Sequence, residues 1–183
     1  MKRGGFLQRR TPLKAKTGFT RKAPLKASRK PAKKKQTKAD LWRQYGLERP
    51  GKPRYEGLKG IYWRLLSEKV RRRDFEKYGT CISCGVRFDT WQDSDPGHYI
   101  PAGTCGFDLL FDEKNIHGEC KRCNGFDEGH LIGYERGLDM RYGAGTAKKL
   151  EDRYWKHKAG NLTKEWSTLE YDRNIRKLLA ELG

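Results

Sequence analysis

Cys81-Ile82-Ser83-Cys84 and Cys120-Lys121-Arg122-Cys123 are two C-x-x-C pairs, and together with the segment between them they decide the fold. In each pair, two thiolates from one tight turn have the spacing that binds a single tetrahedral zinc ion. Two such pairs complete a closed, structural site, so we predict one Zn²⁺ ion bound by these four cysteines. A redox-active pair, or two unrelated pairs, is the alternative interpretation of the same spacing.

The N-terminal segment carries most of the positive charge. The whole chain has 41 Lys and Arg against 23 Asp and Glu, a net charge of +18. Met1–Lys38 contains 15 of the basic residues and no acidic residue, so the rest of the chain has a net charge of only +3. A segment so poor in large apolar residues cannot bury enough surface to offset its conformational entropy. We therefore predict a disordered basic arm and linker over residues 1–54 and one zinc-bound domain with C-terminal helices over residues 55–183.

A basic arm of this kind binds polyanions. Each Lys or Arg that neutralises a phosphate releases condensed counterions, which gives sequence-independent, salt-sensitive affinity for nucleic acid. The alternative is a solvated tail, or one that touches an anionic membrane surface. The candidate phosphate ligands are lysines of the arm and three arginines before the first cysteine pair, although a charged run near a helix end is often merely solvated. They are Lys14, Lys16, Lys33, Lys34, Lys35, Arg71, Arg72 and Arg73.

Apolar periodicity predicts helices around a few short strands. Residues spaced three and four apart indicate an amphipathic helix over Leu58–Tyr78, with Gly79 as its C-cap. Val86–Phe88 and Gly97–Ile100 are predicted strands. A short helical turn around Leu41–Tyr45 is predicted within the linker.

The segment after the second cysteine pair is rich in glycine. Glycines at every fourth position weaken the helix predicted over Leu131–Leu138, but they leave a narrow face for close approach by backbone or ligand. Two further helices are predicted over 147–158 and 164–182. The periodic glycines are Gly125, Gly129, Gly133 and Gly137.

The sequence gives no sign of a membrane protein. No apolar run approaches the ~20 residues that span a bilayer, and the N-terminus lacks the apolar segment of a secretory signal. We therefore expect a soluble, cytoplasmic protein. In a reducing compartment clustered cysteines are more often metal ligands than disulfides, which agrees with the paired spacing. Cys105 lies outside the pairs and is treated as a small residue near a turn.

Several short motifs occur together in one order. They are Trp63–Ser67, Val70–Asp74, Cys81–Gly85, Gly97-His98-Tyr99, Asn115–Cys120 and Cys123-Asn124. This set resembles the NinG (Rap) recombination proteins of lambda-like bacteriophages, and the resemblance covers about residues 62–137. A more distant similarity links the chain to HNH and phage endonuclease VII proteins, in which two zinc knuckles flank a ββα-metal active site.

The resemblance implies both a fold and an activity. The fold is α+β, with a small zinc-clamped ββα-metal core of the HNH, treble-clef-like kind and flanking helices. The activity is that of a metal-dependent DNA endonuclease, which hydrolyses phosphodiester bonds in branched recombination intermediates such as Holliday junctions and D-loops. His98 corresponds to the general base and Asn124 to the asparagine that follows the last cysteine. Asn115 would hold the catalytic loop or the imidazole. The cell would be the bacterial host.

Phosphodiester hydrolysis of this kind uses a divalent ion, Mg²⁺ or a similar cation, besides the structural zinc. HNH enzymes usually have an Asp that binds this ion where the present chain has Gly97. Asp95, two residues earlier, would point to the same side of a strand and could take its place. Asn124 and His130 are the other candidate ligands.

Each candidate has a structural alternative. His98 could be a packed histidine without a catalytic task. Asn115 and Asn124 could be turn or cap residues that bond their own backbone. His117 could hydrogen-bond a zinc knuckle or replace a cysteine as ligand.

Two other functions compete with the branched-DNA endonuclease. One is a non-catalytic zinc-containing module that binds DNA or RNA through its basic arm, and the other is a nuclease that nicks DNA without preference for branches. A homodimer would suit symmetric cutting of a junction, but the chain shows no heptad pattern or self-complementary patch.

Overall fold

The computed structural model describes residues 36–125, 130–160 and 164–183. In these ranges, seven α-helices and two β-strands occur, numbered here in chain order. None of the helices in the described ranges is long and apolar enough to cross a bilayer. The elements are α1 (Lys38–Arg43), α2 (Gly57–Lys77), β1 (Ser94–His98), α3 (Phe107–Leu110), β2 (Ile116–Cys120), α4 (Lys121–Gly125), α5 (His130–Tyr142), α6 (Thr146–Lys158) and α7 (Thr168–Leu182).

Strands β1 and β2 form an antiparallel pair that organises the site. Ser94 lies opposite Cys120, and His98 lies opposite Ile116. Because side chains alternate along a strand, positions 95 and 97 of β1 share a face with positions 117 and 119 of β2. The mixed α/β class is thereby confirmed. The predicted strand Val86–Phe88 is wrong, since that segment makes only one isolated bridge, between Thr80 and Arg87.

Helix α2 is the central element of the fold, and it begins and ends within one residue of its predicted bounds. Ile61, Leu66 and Val70 are at most 1% exposed, so this side of the helix is fully within the core. Gly79 ends the helix as predicted. Its φ of +63° is the left-handed conformation that glycine adopts freely, and its N–H donates to the carbonyl oxygen of Asp74 at 3.1 Å.

Residues 36–54 belong to the folded unit, which corrects the predicted boundary at residue 55. Trp42 is 1% exposed and Tyr45 is 7% exposed, and both are in the main core cluster. Thr37 caps α1, because its hydroxyl accepts from the Asp40 N–H at 3.1 Å while the Asp40 carboxylate accepts from the Thr37 N–H at 3.0 Å. The many lysines around this segment made it look like a linker, although Trp42 and Tyr45 anchor it in the core. Residues 1–35, which include the five candidate lysines of the arm, lie outside the described residues.

Helix α7 begins four residues later than predicted. Ser167 is its N-cap, and the Glu170 carboxylate accepts from the Ser167 N–H at 2.7 Å. This reciprocal pairing fixes the first turn, so the apolar periodicity of residues 164–167 does not extend the helix.

Helix α5 presents its glycines to the first cysteine pair. A Cβ atom added at Gly133 would lie 2.1 Å from the carbonyl oxygen of Ser83, and one at Gly137 would lie 2.3 Å from that of Ile82. Both distances are far below van der Waals contact. The predicted close approach of backbone is confirmed at these two positions. Gly129 lies outside the described ranges.

Gly137→Ala is therefore expected to destabilise the domain. A methyl group has no room against Ile82, and overpacking of this kind costs about 1–3 kcal/mol, which exceeds the ~1 kcal/mol gain in helix propensity. Urea unfolding measures the change. Gly125→Ala is the control, because a Cβ there meets nothing within 4 Å. Equal stability of Gly137→Ala and wild type would contradict the packing of α5 on the first pair.

Candidate functional site

The four paired cysteines come together at one point. Their sulfur atoms all lie within 4.8 Å of one another, and the Sγ atoms of Cys84 and Cys120 are 3.8 Å apart. Tetrahedral zinc with Zn–S bonds of ~2.3 Å places its sulfur ligands ~3.8 Å apart. The donor set and its spacing therefore fit one metal ion such as zinc, held by Cys81, Cys84, Cys120 and Cys123.

The backbone around the first pair forms a tight turn. Gly85, at a φ of +73°, donates its N–H to the carbonyl oxygen of Cys81 at 3.0 Å. The Cys81 thiol accepts from the Cys120 N–H at 3.3 Å, which directs a backbone dipole at the sulfur. Burial raises the pKa of the Cys81 thiol to about 11. Metal binding must therefore displace a proton from this sulfur.

His98 ends β1 in a closely packed position. It is 9% exposed, and its imidazole stacks on the indole of Trp63 with ring centres 5.2 Å apart and 21° between the planes. Its Nε2 lies 3.1 Å from the carbonyl oxygen of Leu110. A carbonyl can only accept, so Nε2 carries the proton and Nδ1 is the nitrogen that can accept one.

The surroundings of His98 keep it neutral. Burial lowers the pKa of its imidazole, the Leu110 carbonyl opposes this by stabilising the protonated ring, and the charge of Arg54 lowers the pKa further, to about 4. The neutral form needed for a general base is therefore present at every pH above about 5, at the cost of lower basicity.

The lowered pKa of His98 should also make the free energy of unfolding of the domain depend on pH. The unfolded chain binds a proton at residue 98 near pH 6.5, whereas the folded chain does so only near pH 4. Between these values the unfolded state holds more protons, so the free energy of unfolding should fall as the pH falls, by about 3 kcal/mol from this residue.

Urea unfolding of wild type and His98→Gln at pH 7 and pH 4.5 measures this effect. Acid also weakens thiolate ligation of zinc, and the variant shares that loss, so the difference between the two proteins isolates the imidazole. Wild type should lose more stability than His98→Gln over this interval. Equal losses would contradict a buried, neutral His98.

Asn115 holds the loop that carries the hydrogen-bond partner of His98. It is fully buried, and its Oδ1 accepts from the Ile100 N–H at 2.7 Å. Its Nδ2 donates to the carbonyl oxygens of Ile100 at 3.1 Å and Leu109 at 3.0 Å. With these bonds made, Asn115 is a positioning residue for the loop.

The candidate ligands of a divalent ion are only partly brought together. Asp95 is half-buried and pairs in register with Glu119 of β2. The Nδ1 atom of His130, in the first turn of α5, lies 3.1 Å from Oε1 of Glu119. Asn124 is exposed on α4. Glu119 is therefore the register partner of Asp95 and the side-chain partner of His130, and sequence reasoning missed it because its position depends on the strand register.

The Glu119 carboxyl is fully buried. Its Oε1 accepts from the Ser83 hydroxyl at 2.5 Å, which ties β2 to the first cysteine pair. Burial raises the pKa of this carboxyl. Its second oxygen has no hydrogen-bond partner within the described part of the chain.

His117 takes neither role predicted for it. It is fully buried, and its Nδ1 lies 2.8 Å from the Asp74 carboxylate of α2. Burial opposes the charged form of Asp74, but the hydrogen bond from His117 and the charge of Arg73 lower its pKa to about 2. Arg141 adds a second ion pair to Asp74 at 3.1 Å. This buried cluster fastens α2 and α5 to β2, and His117 is apart from the four cysteines.

The three consecutive arginines, Arg71 to Arg73, make contacts with other side chains of the fold. Arg71 and Arg72 lie over the ring of Trp91, with guanidinium carbons 4.7 and 4.9 Å from its centre. Arg73 pairs with Asp74 at 2.8 Å and with Glu113 at 3.3 Å, so its guanidinium is committed to the protein. Arg73 therefore has a structural role within the fold.

Arg54 is a further functional candidate that sequence reasoning placed in the linker. It is exposed, and its guanidinium carbon lies 5.2 Å from the ring centre of Trp63, the residue on which His98 stacks. Among the described residues it has no acidic partner within ion-pair distance. The only sequence signal for it was the pair of prolines, Pro50 and Pro53, which fix the chain just before it.

Comparison with known proteins gives one consistent result. A family model described as the bacteriophage lambda NinG protein matches residues 8–181. Protein ninG of Salmonella phage P22 is 32% identical over 119 residues, which cover 65% of this chain and 52% of that protein. Protein ninG of Escherichia phage lambda is 32% identical over 107 residues, which cover 58% of this chain and 50% of that protein. The chain thus spans about half the length of the curated relatives it matches. No solved structure matches it significantly.

Proposed function

The chain belongs to the bacteriophage lambda NinG family, and from this premise we propose that it is a metal-dependent endonuclease that hydrolyses phosphodiester bonds in branched DNA, such as Holliday junctions and D-loops. The observation that carries the proposal is the state of His98. Its ring is fixed by Trp63 and by the Leu110 carbonyl, is neutral at physiological pH, and keeps Nδ1 for a proton. A histidine held in this way is suited to general-base catalysis.

The reaction that this arrangement supports is an in-line hydrolysis. His98 Nδ1 takes one proton from a water molecule as the water oxygen bonds to phosphorus. The bond from phosphorus to the leaving deoxyribose oxygen breaks, and that oxygen takes a proton from solvent. A divalent ion bound at the hairpin would supply electrostatic stabilisation of the developing negative charge.

Other residues would orient the substrate. Arg54 is exposed beside Trp63 and could bind the phosphate next to the one that is cut, because a guanidinium forms paired hydrogen bonds with phosphate oxygens. Asn115 would keep the loop that binds the His98 imidazole in place. The metal held by the four cysteines would clamp the turn of the first cysteine pair to the end of β2 without taking part in the chemistry.

The preference for branched DNA would come from how charge is arranged around the hairpin. The basic arm would supply affinity for any DNA, and two copies of the chain would suit symmetric cutting of a junction. Both the contribution of the arm and that of a second copy depend on how protein and DNA are arranged in the complete complex.

A cleavage assay with two substrates tests the proposal. End-labelled four-way junction and linear duplex of matched sequence are each incubated with zinc-loaded protein in Mg²⁺ or in EDTA. Preferential, Mg²⁺-dependent cutting of the junction is expected. Equal cutting of both would indicate a nuclease without branch preference, and cutting of neither would indicate a non-catalytic nucleic-acid-binding module.

A further inference from the structure

Trp155 is a large apolar side chain that helix α6 leaves in solvent. It is 64% exposed, whereas Ala147 and Leu150 of the same helix are at most 2% exposed and pack in a core cluster. The indole makes a T-shaped contact with the ring of Tyr154, with ring centres 5.1 Å apart, and Tyr154 in turn packs against that cluster. Among the described residues no other aromatic ring lies against the indole, so most of its surface faces solvent.

The other side of α6 is fixed to the domain. The carboxylate of Asp139, in α5, accepts from the Thr146 N–H in the first turn of α6 at 2.9 Å. Glu151, one turn before the exposed indole, accepts from the Tyr99 hydroxyl at 2.6 Å. Tyr99 directly follows His98 in the chain. Helix α6 therefore presents its indole from a rigid support that is joined to the strand end carrying the candidate general base.

The exposed side of α6 is basic. Lys149, Lys156 and Lys158 are exposed, and none of them makes an ion pair with a residue in the described ranges. Lys149 and Lys156 are two helical turns apart and lie on one side of Trp155, while Lys158, one turn beyond it, lies on the other. Lysines in the last turn of a helix offset its dipole, which accounts for Lys156 and Lys158. It does not account for Lys149 or for an exposed indole between lysines.

The charge of this side of α6 favours a polyanion over other occupants. Residues 1–35 contain 14 Lys and Arg and no acidic residue, so charge repulsion disfavours their covering the helix. The same repulsion disfavours the pairing of two α6 helices. A membrane-surface helix inserts a broad apolar face, but the apolar side of α6 is buried in the domain. Nucleic acid offers both phosphates for the lysines and flat rings for the indole.

Unpaired bases are the part of DNA that fits an exposed indole. Bases in a duplex are stacked on their neighbours and closed to a side chain, whereas a single strand offers the ring face of each base. We propose that Trp155 stacks on an unpaired base of a DNA strand and that the three exposed lysines of α6 bind the adjoining phosphates. As a contact to the unpaired strand of a branched substrate this rests on the proposed function, but as a binding surface it can be tested without cleavage.

Fluorescence anisotropy tests the proposal with zinc-loaded full-length protein, without added Mg²⁺, on a labelled single-stranded oligothymidylate and a duplex of equal length. Trp155→Leu should weaken binding of the single strand at least ~5-fold, the lower end of what stacking on one base contributes, and should leave duplex binding unchanged. Trp155→Phe keeps an aromatic ring and should recover most of the loss. Met140→Ala, at an 87% exposed side chain of α5, is the matched control and should bind both as wild type does.

Lys149→Gln separates charge from stacking. It should weaken binding of both substrates and make the slope of log affinity against log salt less negative, by ~0.9 for the duplex and ~0.7 for the single strand. Trp155→Leu removes no charge, so it should leave both slopes as in wild type. Unchanged slopes in Lys149→Gln would overturn the proposed phosphate contact.

The outcomes distinguish this surface from the proposed function. Wild-type affinity of folded, zinc-loaded Trp155→Leu for the single strand, or equal losses for single strand and duplex, would overturn the inference whether or not the protein cuts DNA. Binding to phosphatidylglycerol vesicles that depends on Trp155, with unchanged binding of the single strand, would overturn it in favour of a membrane contact. Single-strand binding that depends on Trp155, in a protein that cuts no DNA, would support the surface and contradict the endonuclease.

Discussion

Cys123→Ser is expected to abolish zinc binding and to unfold the domain around the hairpin. All four sulfur atoms lie within 4.8 Å of one another, so each thiolate is a ligand that the others cannot replace. Structural zinc contributes about 10–16 kcal/mol to the folding of small zinc peptides, which is as much as the whole stability of a typical domain, about 5–15 kcal/mol.

Zinc analysis of the purified protein and thermal unfolding measure the two effects. Cys105→Ser is the matched control, because Cys105 is half-buried outside the four-sulfur cluster and should leave zinc content unchanged. Wild-type protein without zinc, or Cys123→Ser with undiminished thermal stability, would contradict a structural four-thiolate site.

Deletion of residues 1–35 is expected to weaken DNA binding by ~10³-fold or more at low salt and to flatten its salt dependence. The deletion removes 14 Lys and Arg residues. If half of them neutralise phosphates, the slope of log affinity against log salt should become less negative by ~6. Filter binding or anisotropy between 50 and 200 mM salt would measure both quantities.

The deletion stops at residue 35 so that the fold stays intact, because Thr37 caps α1 and Trp42 is in the core. A deletion through residue 54 would remove part of the folded unit and confuse loss of charge with loss of fold. A full-length variant with every Lys and Arg of residues 1–35 replaced by Gln is the control for chain length. An unchanged salt slope in both variants would show that the arm does not bind DNA.

The sequence predicted the parts of the structure that local pattern determines. The cysteine spacing predicted the four-sulfur cluster, the apolar period predicted α2, and the periodic glycines predicted a narrow helix face for close approach of backbone, which in the structure is that of the first cysteine pair. In each case a pattern within a few residues of sequence determines the local structure, because metal ligation, helix periodicity and the absence of side chains each restrict the conformations available.

The parts that sequence reasoning missed depend on tertiary partners. A helical turn was predicted around Trp42, but its burial in the core was missed because the surrounding lysines dominate the local composition. Glu119 emerged only from strand register, since its partners Asp95 and His130 are on a separate strand and helix. The ion pairs of Arg73 with Asp74 and Glu113 were also missed, because the order of charges along the sequence does not show which of them meet in the fold.

The most direct test of the account is single-turnover cleavage of a four-way junction by His98→Gln at saturating protein with Mg²⁺. Gln can keep a donor for the Leu110 carbonyl, so zinc content, stability at pH 7 and junction affinity should match wild type. Because the variant lacks the nitrogen that takes the proton, the cleavage rate should fall at least ~10²-fold. Cleavage at the wild-type rate by this folded, zinc-loaded, junction-bound variant would contradict the account, because His98 would then have no part in the reaction.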